Sequence, residues 1–506
     1  MDRAKILARV KAHSGAWDLV VIGGGAAGVG CALDAASRGF KLLLLEQHDF
    51  GKGTSSRSTK LIHGGVRYLA QGNIPLVREA LKEREVLLRN APHVVHRQEF
   101  IVPCYSLSQK FYYAVGLKIY DLLAGKHGFG RSRILSRRET LKLLPNLKRN
   151  NLSGGILYYD GQFDDTRLLI DLAKTAHKHG AAVLNYAKVT EIEKDKNGKA
   201  VGVQFVDALL GENLRVETKA VINATGAFCD SVRKLGDGSA AKLVALSQGV
   251  HLVLKHEFLP SDSAIVIPKT SDGRVLFCIP WHGHTLVGTT DTPIETASLE
   301  PKALESEIDF ILETAAGYLA KTPTRSDVLS VFAGIRPLVK SSVTKRTSSL
   351  SRSHTIDIGT SGMLTITGGK WTTYRKMAED AVDQTIKLAG LPATPCRTEN
   401  LTIDAETENF SGERLHPDLP YHTSDIVRAV RREMAQTLED VLARRTRALF
   451  LNAKAAMEAA AATAEIMAAE MGKDQVWTAE QLLEFNAIAQ NYIASPSVTL
   501  ASGRLS

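Results

Sequence analysis

The sequence predicts an α/β protein: a Rossmann-type dinucleotide-binding domain, a mixed-sheet domain inserted into it, and an α-helical C-terminal domain. Three observations carry this reading. A glycine-rich turn joins two apolar runs near the N-terminus, strand-like runs recur through the middle, and the chain beyond residue 423 is rich in alanine, leucine and glutamate. At 506 residues there is chain enough for about three domains.

Residues 1–17 are basic and lack an apolar segment followed by a cleavage site, so they read as a leading helix and not a signal peptide. Leu19 to Ile22 reads as a buried parallel strand. Gly23-Gly24-Gly25-Ala26-Ala27-Gly28 then matches G-x-G-x-x-G, and a helix rich in small residues follows to about Ser37. Gly23 permits the tight turn, Gly25 the approach of a pyrophosphate, and Gly28 close helix–strand packing. The helix N-terminus, with Ala26 and Ala27, offers N–H groups to phosphate. A second strand, Lys41 to Leu45, ends in Glu46 and Gln47. Glu46 is placed to accept ribose hydroxyls and to repel a 2′-phosphate. The motif does not choose between NAD and FAD.

The next stretch, GTSSRSTKLIHGGVRYL (53–69), packs five Ser/Thr hydroxyls, four cationic or imidazole side chains and three glycines. A loop leaving the second strand of such a fold passes beside the dinucleotide. Thr54, Ser55, Ser56, Ser58 and Thr59 are candidate phosphate donors, Lys60 a candidate phosphate partner, and His63-Gly64-Gly65 a flat backbone beside a ring system. The alternative is an exposed loop capping a helix at about Pro75 to Asn90.

Residues 108–133 combine aromatics, leucines and basic groups. Lys110, Lys118, Lys126 and Arg131 suit anionic headgroups, with Phe111, Tyr112 and Leu117 entering the interface; an amphipathic helix on the core is the alternative. The dinucleotide domain is expected in three pieces, about 18–90, 150–240 and 355–390 of a discontinuous 18–390 unit. The inserted substrate domain takes about 91–149 and 241–354, with strands AIVIP, RVLFCIP and HTLVGTTD. A Thr/Pro/Glu-rich linker, 391–422, leads to helices over 423–506. His282 and His284 alternate like a metal pair but lack a third ligand nearby, so no metal site is expected. NAKAAMEAAAATAEIMAAE reads as a packed helix.

The net charge of +9 favours anionic partners, but neither zinc-finger spacing nor an aromatic RNA-binding motif is present, so nucleic acid is not expected. No run approaches the roughly 18 apolar residues of a membrane span. Five scattered cysteines without a CxxC pair suit a reducing compartment.

Seven stretches in order, GTSSRSTKLIHGGVRYL, VINATG, SQGVHLVL, IPW, VGTTD, GIRPL and GGKWTTYRKMAE, resemble the motifs of FAD-dependent glycerol-3-phosphate dehydrogenases. The likeness runs from about residue 18 to 380 and is looser beyond. It implies an FAD-binding domain of the glutathione-reductase/D-amino-acid-oxidase type, with Ala224, Thr225, Gly226, Gly369, Lys370 and Thr372 added to the cofactor residues. It implies oxidation of sn-glycerol 3-phosphate to dihydroxyacetone phosphate, with hydride passing from C2 to N5 of FAD. Arg67, Tyr68, Arg336, Lys370 and Thr373 are candidates for holding the phosphorylated substrate. His251 is the candidate base at the C2 hydroxyl, and Arg336 either clamps phosphate or eases the developing alkoxide; Arg67 is a further catalytic candidate.

Quinone is the acceptor implied. The implied setting is peripheral, at the cytoplasmic face of a bacterial inner membrane or, alternatively, at the mitochondrial inner membrane, with a homodimer expected. No D-x-[DN]-x-[DN]-G loop is present, so the calcium-binding extension of animal mitochondrial relatives is not expected. The alternatives are a soluble glycerol-3-phosphate oxidase using oxygen, another FAD-dependent amino or hydroxy acid oxidoreductase, and a non-catalytic nucleotide-binding protein.

Overall fold

The computed structural model describes residues 1–70, 72–268, 270, 273–339, 354–405 and 412–495; the side chains of Arg67, Ala70 and Lys126 lie outside the described residues. A six-stranded sheet forms first around the buried runs Leu19–Ile22 and Leu42–Leu45. These two strands pair in parallel, and Leu19–Ile22 also pairs with Val221–Asn223. Ala182–Leu184 and the pair Leu364–Gly368/His354–Ile358 complete the sheet. Four-residue strands buried on both faces require helices above and below, and Ala26–Ser37, Asp165–Lys178 and Tyr374–Leu388 contribute to the same core.

Caps fix where several helices start. Asn73 accepts from Leu76 N–H before Ile74–Asn90, with proline in its first turn, and Asp164 accepts from Arg167 N–H before Asp165–Lys178. Helix Ala26–Ser37 differs: its N-cap is Gly25, which has no side chain to offer. Its first-turn N–H groups are therefore left to partners other than the cap residue, as at an anion-binding helix end.

A ten-stranded mixed sheet lies beyond the carboxyl ends of the first, built around Val244–Lys255. That strand pairs antiparallel with His284–Gly288 on one side and Val328–Val339 on the other. Gly154–Phe163, expected in the dinucleotide domain, instead pairs along its whole length with Val95–Cys104 in this second sheet. Ten residues of cross-strand partnership outweigh its position in sequence. A separate three-stranded meander spans Ala187–Lys194, Ala200–Asp207 and Glu212–Glu217.

The C-terminal helices pack on the second sheet. Leu438, Leu449 and Phe450 share one core with Phe100, Ile279 and Phe332, and Ser330 Oγ donates to the Leu449 carbonyl. Helix Leu107–Ala124 lies on the same body, capped by Ser106. It buries Ala114, Leu117, Tyr120 and Ala124 and exposes Leu107, Phe111, Tyr112, Val115, Ile119 and Leu122. Leu117, expected to enter a membrane, thus faces the core.

Candidate active site

One cleft of about 420 Å³ runs between the two sheets. It is lined by the glycine turn, Glu46 and Gln47, and also by His251, Arg336 and Lys370. Gly23, Gly25, Ala26, Ala27, Thr54, Ser55, Ser58, Thr59, His63, Ala224, Thr225, Gly226, Gly369 and Thr372 line it too.

The turn is a cradle that side chains would fill. A Cβ on Gly28 would stand 1.9 Å from the Gly23 carbonyl oxygen, and one on Gly23 would stand 2.8 Å from that of Ala224. Glu46 Oε2 accepts from Gly24 N–H at 2.6 Å and Oε1 from His48 N–H at 2.9 Å, holding the carboxylate at the strand end. Ser55 Oγ accepts from Ala26 N–H at 2.9 Å, and Trp371 Nε1 donates to the Ser55 carbonyl. The glycine-capped helix end, the glycine cradle and the terminal acid fit the pyrophosphate and ribose of FAD.

Most of the hydroxyl loop turns elsewhere. Thr54 Oγ1 donates to the Ile335 carbonyl at 2.6 Å, and Ser56 is buried and lies 3.5 Å from the Gly53 carbonyl. Ser58 N–H and Oγ–H both donate to Asp165. Lys60, expected to pair with phosphate, is fully buried away from the cleft with Asp165 at 2.7 Å and the Ser56 carbonyl at 2.7 Å. A carboxylate inside the protein is a stronger partner for these donors than a ligand across a solvated gap. Thr59, expected at phosphate, has its Oγ1 3.0 Å from His251 Nε2.

Gly64 and Gly65 are also set back from the cleft. Gly64 N–H donates to Asp160, which itself accepts from Arg84 and from Tyr120 of the exposed helix. Gly65 makes room for the Tyr68 ring; that ring carries Lys370 Nζ 3.9 Å from its centroid. Thr373 is buried, its hydroxyl donating to the Lys370 carbonyl, and His63 N–H donates to Thr372. Arg67 stands in helix Val66–Ala70 beside Tyr68, its side chain outside the described residues.

Strand glycines seat the two central side chains. His251 pairs across the ladder with Gly288 on one side and Phe332 on the other. The imidazole stacks on Phe332 with centroids 4.9 Å apart, and a Cβ on Gly288 would fall 2.3 Å from its Cδ2. The Arg336 guanidinium likewise lies over Gly249, where a Cβ would be 2.3 Å from Nη2. It donates to the Thr290 carbonyl and to Thr289 Oγ1. Burial pushes the His251 pKa well below its usual value, and the positive charges of Arg336 and Lys60 add to this. Both effects favour the neutral imidazole over the imidazolium.

Sequence reasoning missed Asp165 and Asp160, the carboxylates that shape the loop, and Arg57, which lines the cleft while donating to Glu300 at 2.8 Å. Arg57 sat within the hydroxyl-rich stretch as a visible signal; the two aspartates lie about a hundred residues away in sequence, with no local mark. His282, half of the WHGH pair, has its Nε2 3.3 Å from Asp164.

Residues 18–375 match the family described as FAD dependent oxidoreductase. Residues 397–480 match the C-terminal domain of alpha-glycerophosphate oxidase. The chain is 40% identical to the probable mitochondrial glycerol-3-phosphate dehydrogenase of Caenorhabditis elegans, over 90% of this chain and 71% of that protein. It is 38% identical to a mitochondrial glycerol-3-phosphate dehydrogenase of Arabidopsis thaliana, over 96% of this chain and 88% of that one. The fold matches the X-ray structure of the Bacillus halodurans glycerol-3-phosphate dehydrogenase complexed with FAD, with TM-score 0.77, 29% identity and 97% of each chain covered.

Proposed function

The chain belongs to the FAD-dependent glycerol-3-phosphate dehydrogenases, and from that premise we infer how its residues divide the oxidation of sn-glycerol 3-phosphate. FAD, when bound, supplies the acceptor for the hydride that leaves C2. The glycine turn, Ala26, Ala27, Ser55 and Glu46 hold its pyrophosphate and ribose. Lys370, Gly369 and Thr372 flank its ring system, the helix that follows at Tyr374–Leu388 favouring negative charge there.

His251 takes the C2 hydroxyl proton, and Arg336 lies beside it to lower the cost of the developing alkoxide. Lys370 over Tyr68, with Arg67 one residue from Tyr68, forms the phosphate clamp. The carrying observation is that the dinucleotide turn and His251, Arg336 and Lys370 line one cleft. His251→Asn should retain its flavin and slow anaerobic flavin reduction by about 10²–10⁴-fold. Arg67→Met and Lys370→Met should mainly weaken substrate binding. Reduction at the wild-type rate in His251→Asn contradicts the assignment.

Electrons then pass to a quinone at a membrane surface. Helix Leu107–Ala124 supports this: Leu107, Phe111 and Leu122 are 77%, 74% and 79% exposed. Ile134 is exposed too, and so are Arg131, Arg133, Arg137 and Arg138 near it in sequence. An apolar ridge with a basic rim fits an anionic bilayer. No helix among the described residues is long and apolar enough to cross one. The double change Phe111→Ser with Leu122→Ser should abolish co-sedimentation with anionic vesicles and leave flavin reduction by substrate intact. Unchanged co-sedimentation sinks the membrane reading.

A further inference from the structure

We propose that Thr59 is the positioning residue for His251. Its hydroxyl accepts Nε2–H and leaves the lone pair on Nδ1, the nitrogen that receives the substrate's C2 hydroxyl proton. The inference rests on the reading of His251 as the base and adds which nitrogen acts and what selects it.

Four observations carry it. Thr59 Oγ1 is 3.0 Å from Nε2. Nδ1 is buried and has no hydrogen-bond partner among the described residues. A buried N–H without an acceptor costs more than a lone pair awaiting a ligand's hydroxyl, so the pairing favours the proton on Nε2. The ring has little freedom to exchange roles, being stacked on Phe332 and seated over Gly288.

The loop is also built to hold this hydroxyl in place. The residues on either side of Thr59 are pinned by one carboxylate, Asp165 Oδ2, which accepts from Ser58 N–H, Ser58 Oγ–H and Lys60 Nζ. Lys60 N–H donates back to Ser58 Oγ. Lys60 also takes φ +61°, a left-handed conformation uncommon for a residue with a side chain. A buried ion pair and a left-handed backbone flank the hydroxyl that meets Nε2. The charged groups that bear on His251 are Arg336 from Val328–Val339 and Lys60 from this loop, both cationic. No carboxylate among the described residues takes up the orienting role, so it falls to a neutral hydroxyl.

In the reaction the C2–H bond breaks with its electron pair passing to FAD. The C2 O–H proton moves to Nδ1, the C2=O bond of dihydroxyacetone phosphate forms, and the imidazolium later returns its proton to solvent.

The test is anaerobic flavin reduction by glycerol 3-phosphate in holoenzyme, comparing wild type with Thr59→Val, Thr59→Ser and His251→Asn. Thr59→Val should keep its flavin and its apparent substrate affinity and lose about 10- to 100-fold in the reduction rate, with a larger solvent deuterium isotope effect. Thr59→Ser should recover most of that rate. Wild-type reduction by Thr59→Val overturns the proposal. So does a loss that Thr59→Ser does not rescue, or one accompanied by loss of flavin and substrate affinity. Unimpaired reduction by His251→Asn would instead overturn the reading of the base itself.

Discussion

Nζ of Lys60 stands 2.7 Å from Oδ2 of Asp165 with neither side chain reaching solvent. Rings of Trp281, Phe332 and Phe450 surround the ammonium at 5.1–5.3 Å. Burial lowers the Lys60 pKa from 10.5 to about 8, against the pull of Asp165. Between those two values the unfolded chain binds more of this proton than the folded one, so the contribution of Lys60 to stability rises with pH across that window. Unfolding free energies of wild type and Lys60→Met, compared from pH 7.5 to 10, should diverge in slope by up to about 1.4 kcal/mol per pH unit. Equal slopes would contradict this. Asp165→Asn leaves the cation unpaired and should cost about 3–5 kcal/mol.

Gly288 and Gly249 should be intolerant of alanine for separate reasons. A methyl at Gly288 meets His251, and one at Gly249 meets the Arg336 guanidinium. Displacing a reacting group by about 1 Å costs on the order of 10²-fold in rate. Gly288→Ala should therefore lower kcat with flavin content unchanged, whereas Gly249→Ala should also weaken substrate binding. Steady-state kinetics at saturating and limiting substrate separate the two.

Gly28→Ala tests the cofactor cradle. The added methyl would fall 1.9 Å from the Gly23 carbonyl oxygen, a backbone atom with no rotamer to yield. The turn must open, so the purified protein should contain little FAD, read from its visible spectrum. Full flavin content would show that the turn adapts.

Acid should loosen the junction between the C-terminal helices and the dinucleotide sheet. Burial works to raise the Asp49 pKa, yet Arg445 at 2.7 Å and Arg444 at 2.5 Å outweigh it and hold it near about 2. A carboxylate depressed from 3.8 contributes stability that is present above that value and lost as pH falls towards about 2. Asp49→Asn should cost about 3–5 kcal/mol at pH 7 by taking the close carboxylate from buried Arg445, while Arg444 keeps Glu439 and Asp440. The gap from wild type in thermal midpoint should narrow below pH 4.

What was legible in the chain was local. Strand, glycine turn, helix and terminal acid lie within thirty residues, each enforced by backbone geometry, and the structure has them at Leu19–Ile22, Ala26–Ser37 and Leu42–Leu45. The hydroxyl loop was legible as a functional segment but not in its partners. Thr54 reaches Ile335, Ser58 reaches Asp165 and Thr59 meets His251, all more than a hundred residues distant. Gly154–Phe163 reads as a strand in any setting, and only pairing with Val95–Cys104 decides its sheet. Leu117 was legible in principle: Ala114, Leu117, Tyr120 and Ala124 recur at helical spacing and mark the inward face.

The measurement that bears most directly on the whole account is anaerobic addition of glycerol 3-phosphate to the purified protein while its visible spectrum is recorded. The expected result is a yellow protein whose flavin band at about 450 nm bleaches on addition of this substrate. A flavin that stays oxidised in the presence of this substrate would contradict it.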